Sequence, residues 1–208
     1  MNSARLAQLL CSPLTNALAS AVLAALWVLF AWSHYQAFIS HPGLSPILVT
    51  ISETLTAIFY VMRPPPRTIS VKPLDWLLAI GGTFMPLGFR PAETALMPAA
   101  SYLMVLGILI QILALVSLNR SFALVAAKRV IKTDFMYKWV RHPIYASYVI
   151  TFTGYLLVNT SAINALIHAL WLALMIGRIF REEAHLSEDA IYRPYMQRVR
   201  YRLIPGVF

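Results

Sequence analysis

The chain has 208 residues, 59% of them hydrophobic and only 12% charged, against roughly 25% charged in soluble domains. Seventeen Lys and Arg against eight Asp and Glu give a net charge of +9, which in so apolar a chain suits the anionic inner leaflet of a membrane and not a nucleic acid. A single cysteine, Cys11, excludes an internal disulfide framework and a Cys-built zinc site, and five scattered histidines with no close pair argue against any other metal centre.

Taken in chain order, six apolar stretches reach or approach the ~20 residues a spanning helix needs: 15–37, 45–63, 74–89, 95–118, 143–159 and 161–181. The first follows Arg5 like a signal peptide, but it is longer than a signal's apolar region and no A-x-A-like site follows, so it reads as a retained anchor. Between the second and third, RPPPRTISVKP (63–73) cannot be a continuous helix, because three successive prolines lack amide donors and favour polyproline II; it predicts a semi-rigid connector. The third stretch is interrupted by Gly81, Gly82, Pro86 and Gly88 and predicts a tilted, broken or re-entrant segment. Only NTSA separates the fifth from the sixth, which predicts an antiparallel helical hairpin. The expected fold is an all-α integral membrane protein of about six transmembrane helices, the last two a hairpin followed by a cytosolic tail. It divides into a four-helix region, 1–118, and a second region, 119–208.

Two polar pieces flank the hairpin. The 119–142 loop and its junction supply Arg120, Ser121, Tyr137, Arg141, His142 and Tyr145; the far end of the last span and the tail supply Arg178, Arg181, Glu182, Glu183, Tyr192, Tyr195 and Arg202. Short connectivity brings both sets to one membrane face, where they could bind an anionic or zwitterionic ligand. Plainer readings exist for the parts. Arg141 and His142 before Pro143 also fit juxtamembrane positives with a proline in the first helical turn. Arg178 and Glu182 fit an i, i+4 helix pair, and Tyr192 and Tyr195 fit interfacial aromatics. Within the spans, Glu53 is a functional candidate as an intramembrane acid, and His168 reads as a helix–helix hydrogen-bonding group.

The ordered series is more specific than its parts. Y-x-x-V-R-H-P-x-Y (Tyr137 to Tyr145), Gly154, R-x-x-x-E-E-x-x-L (Arg178, Glu182, Glu183, Leu186), Y-x-x-Y (Tyr192, Tyr195) and R-x-I-P-G (Arg202 to Gly206) resembles the isoprenylcysteine carboxyl methyltransferase family. The wider superfamily also includes membrane phospholipid methyltransferases. The resemblance covers residues 118 to 208. It implies a multi-span enzyme that uses S-adenosylmethionine in a cytosolic pocket, while a lipophilic substrate arrives from the bilayer; no G-x-G-x-x-G follows a strand here. It places Tyr137, His142, Pro143, Tyr145 and Glu182 on the cofactor side, and makes Arg178 and Glu183 the catalytic candidates, Arg178 to orient an acceptor carboxylate and Glu183 to hold the cofactor side or position Arg178. Two departures stand out: the family has Gly-Pro before the tyrosine, where this chain has Phe135 and Met136, and Gly before the R-S-F-like element, where this chain has Asn119.

The acceptor implied is the carboxylate of a prenylated cysteine or a group shaped like it, with membrane lipids as surroundings and no nucleic acid partner. Alternatives are a phospholipid amine or thiol methyltransferase, a sterol-reductase-like enzyme using a nicotinamide cofactor, and a non-catalytic scaffold or transporter. Thermal stabilisation by S-adenosylhomocysteine and not by NADPH separates them.

Charge placement makes the first prediction. On six spans, sixteen of the seventeen Lys and Arg share one side and only Arg90 lies opposite, so the positive-inside rule puts both termini in the cytoplasm. In a variant lacking Cys11, single cysteines at positions 2 and 207 of sealed cells are expected to resist an impermeant reagent, and one beside Arg90 to react. Labelling of either terminus from outside would defeat this topology.

Overall fold

Proline marks where several helices start: Pro13, Pro73 and Pro143 each sit in a first helical turn, where a missing N–H leaves no bond unmade. The computed structural model describes residues 3–208, so Asn2, one of the two terminal labelling positions, lies outside the described residues. The elements in order are α1 (Ser3–Cys11), α2 (Pro13–Ser40), α3 (Leu44–Met62), β1 (Thr68–Ile69), α4 (Pro73–Phe84), α5 (Ser101–Leu118), β2 (Ala127–Lys128), α6 (Pro143–Val158), α7 (Ala162–Leu186) and α8 (Tyr192–Arg198), with short 3-10 turns between them.

Four of these helices are long and apolar enough to cross a membrane: α2, α3, α5 with its flanking 3-10 turns, and α7. The protein is thus a multi-pass integral membrane protein. Along α2, Leu14, Leu18, Val22 and Leu29 are more than half exposed and share a lipid-facing side. Two of the six expected spans, 74–89 and 143–159, lie close to the bounds read from sequence but are too short to count with these four. The third is a 12-residue α-helix continued by a 3-10 turn, Met85–Gly88. At 1.5 and 2.0 Å rise per residue the two together extend about 26 Å. Pro86 explains the change of helix type, since its ring cannot donate to the preceding turn. The fifth, α6, is an apolar helix of 16 residues.

α2 packs along α3, and α6 packs along α5 far more than along α7, its neighbour in sequence. α7 instead lies against α4, where the Trp171 indole donates to the Gly82 carbonyl at 2.9 Å. The hairpin helices therefore part on leaving their turn. At the turn, Asn164 donates to the carbonyls of Arg90 and Asn159 and accepts from the Arg90 amide, at 2.8, 2.7 and 3.1 Å. The side chains of Asn159 and Thr160 accept from the amides of Ala92 and Leu96. This end is closed by amide hydrogen bonds, and the opposite end is left to be filled by the polar loop and tail. His168 lies between α6 and α7, 3.4 Å from the Thr153 hydroxyl, with its ring beside Trp171.

The expected connector is more structured than polyproline II alone. β1 within it pairs antiparallel with β2 of the 119–142 loop, Thr68 opposite Lys128 and Ile69 opposite Ala127. The amides of Arg67 and Ser70 donate to the carbonyls of Lys128 and Ala126 and extend the pairing at each end. Asp75, at the start of α4, accepts from Ser70 and, at 2.5 Å, from Arg181 of α7. The loop is thus fixed to the connector, and the connector to α7.

The α5–α6 contact is so close that it depends on missing side chains. A Cβ at Gly107 would overlap the Thr151 hydroxyl and come within 2.9 Å of the Ser147 carbonyl; one at Gly154 would lie 2.9 Å from the Ala100 carbonyl. Gly107→Ala and Gly154→Ala are each expected to destabilise by about 1–3 kcal/mol, as overpacking does. Gly43→Ala, whose added methyl would meet nothing nearer than 3.6 Å, is expected to unfold with the parent protein. Thermal unfolding in detergent measures all three.

Candidate active site

His142 and Pro143 sit where the loop becomes α6, and Arg178 to Glu183 sit a little over four turns into α7, past the point where the two helices have separated. The gap between them is a cleft of about 950 Å³ including its mouth, within the size range of small-molecule sites. Of the residues singled out from sequence, Tyr137, His142, Tyr145, Arg178, Glu182 and both tail tyrosines line it, with Ser121 and Arg141.

Within the cleft, Tyr145 donates its hydroxyl to Glu182 at 2.6 Å. The imidazole of His142 stacks on the Tyr145 ring, with centroids 5.3 Å apart and planes 6° from parallel. The Arg178 guanidinium carbon also stands 5.0 Å from the Tyr145 ring centroid, a cation–π arrangement that gains strength when desolvated. Arg178 is 8% exposed and donates to the Thr83 hydroxyl at 3.1 Å and the Leu124 carbonyl at 2.5 Å. Each of its terminal nitrogens keeps a second proton for a ligand. No carboxylate among the described residues pairs with it.

Glu183 occupies a different place. Its side chain does not line the cleft; it lies behind it and accepts from Arg141 at 2.6 Å, His142 at 3.2 Å and Arg202 at 2.9 Å. Arg141 also donates to the carbonyls of Val199 and Arg200, and the amides of Arg141 and His142 bond to the carbonyls of Tyr201 and Arg202. Pro143 is fully buried at the head of α6 and sets the direction of that helix. Of the remaining sequence candidates, Arg181 pairs with Asp75, and Arg120 and Glu53 lie off the cleft wall.

The tail packs Tyr192, Tyr195 and Val199 on Tyr137, and the Tyr195 hydroxyl donates to the Tyr137 carbonyl at 2.9 Å. Burial first, and for Tyr137 then the nearby Glu182 carboxylate, pushes the phenols of Tyr137, Tyr192 and Tyr195 above their ordinary pKa. They are neutral donors at any physiological pH, and their faces offer a surface on which a planar ring can stack.

Sequence reasoning missed four groups on the cleft wall. Trp27 of α2 and Tyr60 of α3 reach it from the bilayer helices, 5.3 Å apart between ring centroids, and Thr83 of α4 holds Arg178. Their positions look like any other apolar or small residue in a span. Arg129 is the fourth, and its place in an apolar run, ALVAAKRVI, is a signal that could have been followed.

Comparison with known proteins bears on the same segment. Residues 96–193 match the family model described as phospholipid methyltransferase. That family belongs to the membrane methyltransferase superfamily that includes the isoprenylcysteine carboxyl methyltransferases, and the match supports a membrane methyltransferase. No curated protein matches the chain. All of the cleft wall except Trp27, Tyr60, Thr83 and Tyr195 falls inside the matched residues.

The two departures from the isoprenylcysteine pattern carry the only positive φ values outside glycine among the described residues: Asn119 at 53° and Phe135 at 52°. With ψ at −132°, Asn119 lies outside the left-handed helical well, in a region open chiefly to glycine. Such backbone costs of order 1–3 kcal/mol. Asn119→Gly is therefore expected to raise stability by about 1 kcal/mol after the unfolded-state cost of glycine is counted. Asn119→Ala is expected to lower it, and chemical denaturation in mixed micelles checks both signs.

Proposed function

We propose that this protein transfers a methyl group from S-adenosylmethionine to a lipophilic acceptor that enters the cleft from the bilayer, the carboxylate of a prenylated cysteine or a group of that shape. The observation that carries the reading is the meeting, in one cleft, of an acid, a partly unsatisfied guanidinium, an imidazole and five phenols with Trp27 and Tyr60 of the bilayer helices. The regions 1–118 and 119–208 take different parts in this proposal: the second forms the cofactor side and supplies Arg178 to the acceptor, and the first adds Trp27, Tyr60 and Thr83 to the acceptor side.

The donor set fits the cofactor. Glu182, held by Tyr145, can accept from a ribose diol or an ammonium; Tyr137, Tyr192 and Tyr195 offer aromatic faces for adenine; His142 can donate to a carboxylate. When bound, S-adenosylmethionine supplies an electrophilic methyl on a sulfonium, and a carboxylate oxygen can take it with no proton to move. The work left to the protein is alignment and exclusion of water. Arg178 suits the first task, since a guanidinium fork can hold both oxygens of a carboxylate. Glu183 acts at one remove, as a positioning residue, by fixing Arg141 and His142 against the tail. With both termini in the cytoplasm, this chemistry takes place at the inner leaflet.

A second reading, methylation of a phospholipid amine, is favoured by the description of the matched family. The product separates the two. With labelled cofactor and a farnesylated cysteine analogue, an ester releases methanol in base, whereas an N-methyl product is base-stable. Arg178→Lys and Glu183→Gln are each expected to lower the initial rate at least about tenfold, a barrier change of about 1.4 kcal/mol, with helical content unchanged. Full activity in both would sink these roles. His142→Ala is expected to weaken S-adenosylhomocysteine binding in calorimetry, and an unchanged affinity would make His142 structural.

A further inference from the structure

Beside the active-site cleft lies a second cavity, formed where α1, the first turns of α2, the connector and the 123–129 segment meet. Leu10, Leu23, Ile69, Trp76 and Leu124 make most of its wall apolar. Two arginines line the same wall, Arg63 at the end of α3 and Arg129 of the loop, each 8% exposed. Neither has a carboxylate partner among the described residues. Arg63 donates to the Ser20 hydroxyl at 2.9 Å and stands 4.7 Å over the Tyr60 ring; Arg129 donates to the Asn16 side-chain carbonyl at 3.3 Å. The Nε and Nη1 of Arg129 are buried and have no hydrogen-bond partner at all.

Two unneutralised guanidinium groups in one buried wall are costly, and the cost of desolvating each is several kcal/mol unless a counter-charge is present. Burial first, and then the Arg63 charge, brings the Arg129 pKa down to about 10, so Arg129 remains charged at neutral pH. Nothing in the methyl-transfer reading uses the pair. Their depth is informative: Arg63 closes a spanning helix, and Asn16 and Ser20 occupy the first two turns of α2. At 28 residues α2 extends about 42 Å, longer than a hydrocarbon core of ~30 Å, which leaves room for its first turns at the headgroups.

We infer that Arg63 and Arg129, with Asn16 and Ser20, form a seat for one phosphate group, presented by a phospholipid headgroup or by inorganic phosphate. A carboxylate has two oxygens, which one guanidinium fork satisfies; a phosphate offers oxygens to both arginines at once. The apolar wall next to the arginines suits the start of an acyl chain, which favours the headgroup as the source. Occupancy would also reach the active site, because Ala123, Leu124, Ala127 and Arg129 line both cavities. The Leu124 carbonyl is the acceptor that holds Arg178. The inference stands apart from the identity of the methyl acceptor and is tested without turnover.

The test is thermal unfolding of the full chain in non-ionic detergent, titrated separately with phosphatidylglycerol, with diacylglycerol of the same chains, with inorganic phosphate, and with chloride at matched ionic strength. Saturable stabilisation by phosphatidylglycerol, absent with diacylglycerol, is the expected result and identifies a lipid phosphate. Stabilisation by inorganic phosphate alone would support the same seat with the free ion as its ligand. Arg129→Met and Arg63→Gln are each expected to weaken the response at least about tenfold, while Lys138→Gln, an exposed positive of the same loop, leaves it intact. Because Arg129 lacks a counter-charge, Arg129→Met is also expected to raise the melting temperature of the phosphate-free protein; a purely structural arginine would give a fall. Equal stabilisation by diacylglycerol or chloride, or an undiminished phosphate response in Arg129→Met, would overturn the assignment.

Discussion

Everything at the open end of the helical hairpin depends on the two oxygens of Glu183. One takes Arg141 and His142, the other takes Arg202, at 2.6 to 3.2 Å. The carboxylate therefore joins the last turns of α7 to the entry of α6 and to the tail in a single step. Breaking such a buried ionic cluster by removing one member is far more damaging than never having had it, because the remaining charges are left without partners. It also explains why two arginines and a histidine can sit together at a membrane boundary: each has a backbone carbonyl or this carboxylate to receive its protons.

The cleft follows from an unequal division of packing. α6 commits its length to α5, where Gly107 and Gly154 let the backbones come close, and α7 commits its length to α4 through Trp171. Tied together by the Asn164 amide network at their turn, the two helices open toward the other end. Filling the wedge with side chains would have required apolar bulk. The chain puts Tyr145, Arg178 and Glu182 there, and closes only the rear with Glu183 and the tail. The chemistry is thus housed in the space that helix packing leaves.

Much of this could be read from residue order, and the reasons are specific. Tyr137, His142, Tyr145, Arg178 and Glu182 are polar groups in apolar surroundings, so each is costly enough to be noticed, and NTSA leaves little freedom in how the helices carrying them are joined. Glu183 was legible as a member of the site but not in its orientation, because adjacent residues on a helix point about 100° apart, and only the fold decides which faces the cleft. The interruption of the third stretch was legible from Gly81, Gly82, Pro86 and Gly88, though not the form it takes, an α-helix whose end Pro86 turns into a 3-10 turn. The partners of Arg63 and Arg129 were invisible for another reason: Ser20 and Asn16 are far away in sequence, and the β1–β2 pairing that brings the connector to the loop spans only two residues on each side.

Asn119 and Phe135 stand at the two ends of the loop that roofs the cleft, and each turns the chain by a backbone rotation that owes nothing to the residues between. The roof is in that sense hung from two fixed pivots. Its middle, 122–133, touches both the cleft and the cavity of the paired arginines, yet contributes no member of the Glu183 cluster. An exchange of this segment, with the pivots and the cluster left in place, would reshape the cover of the cleft while keeping the rear closure. The arrangement separates the segment that covers the cleft from the cluster that closes its rear.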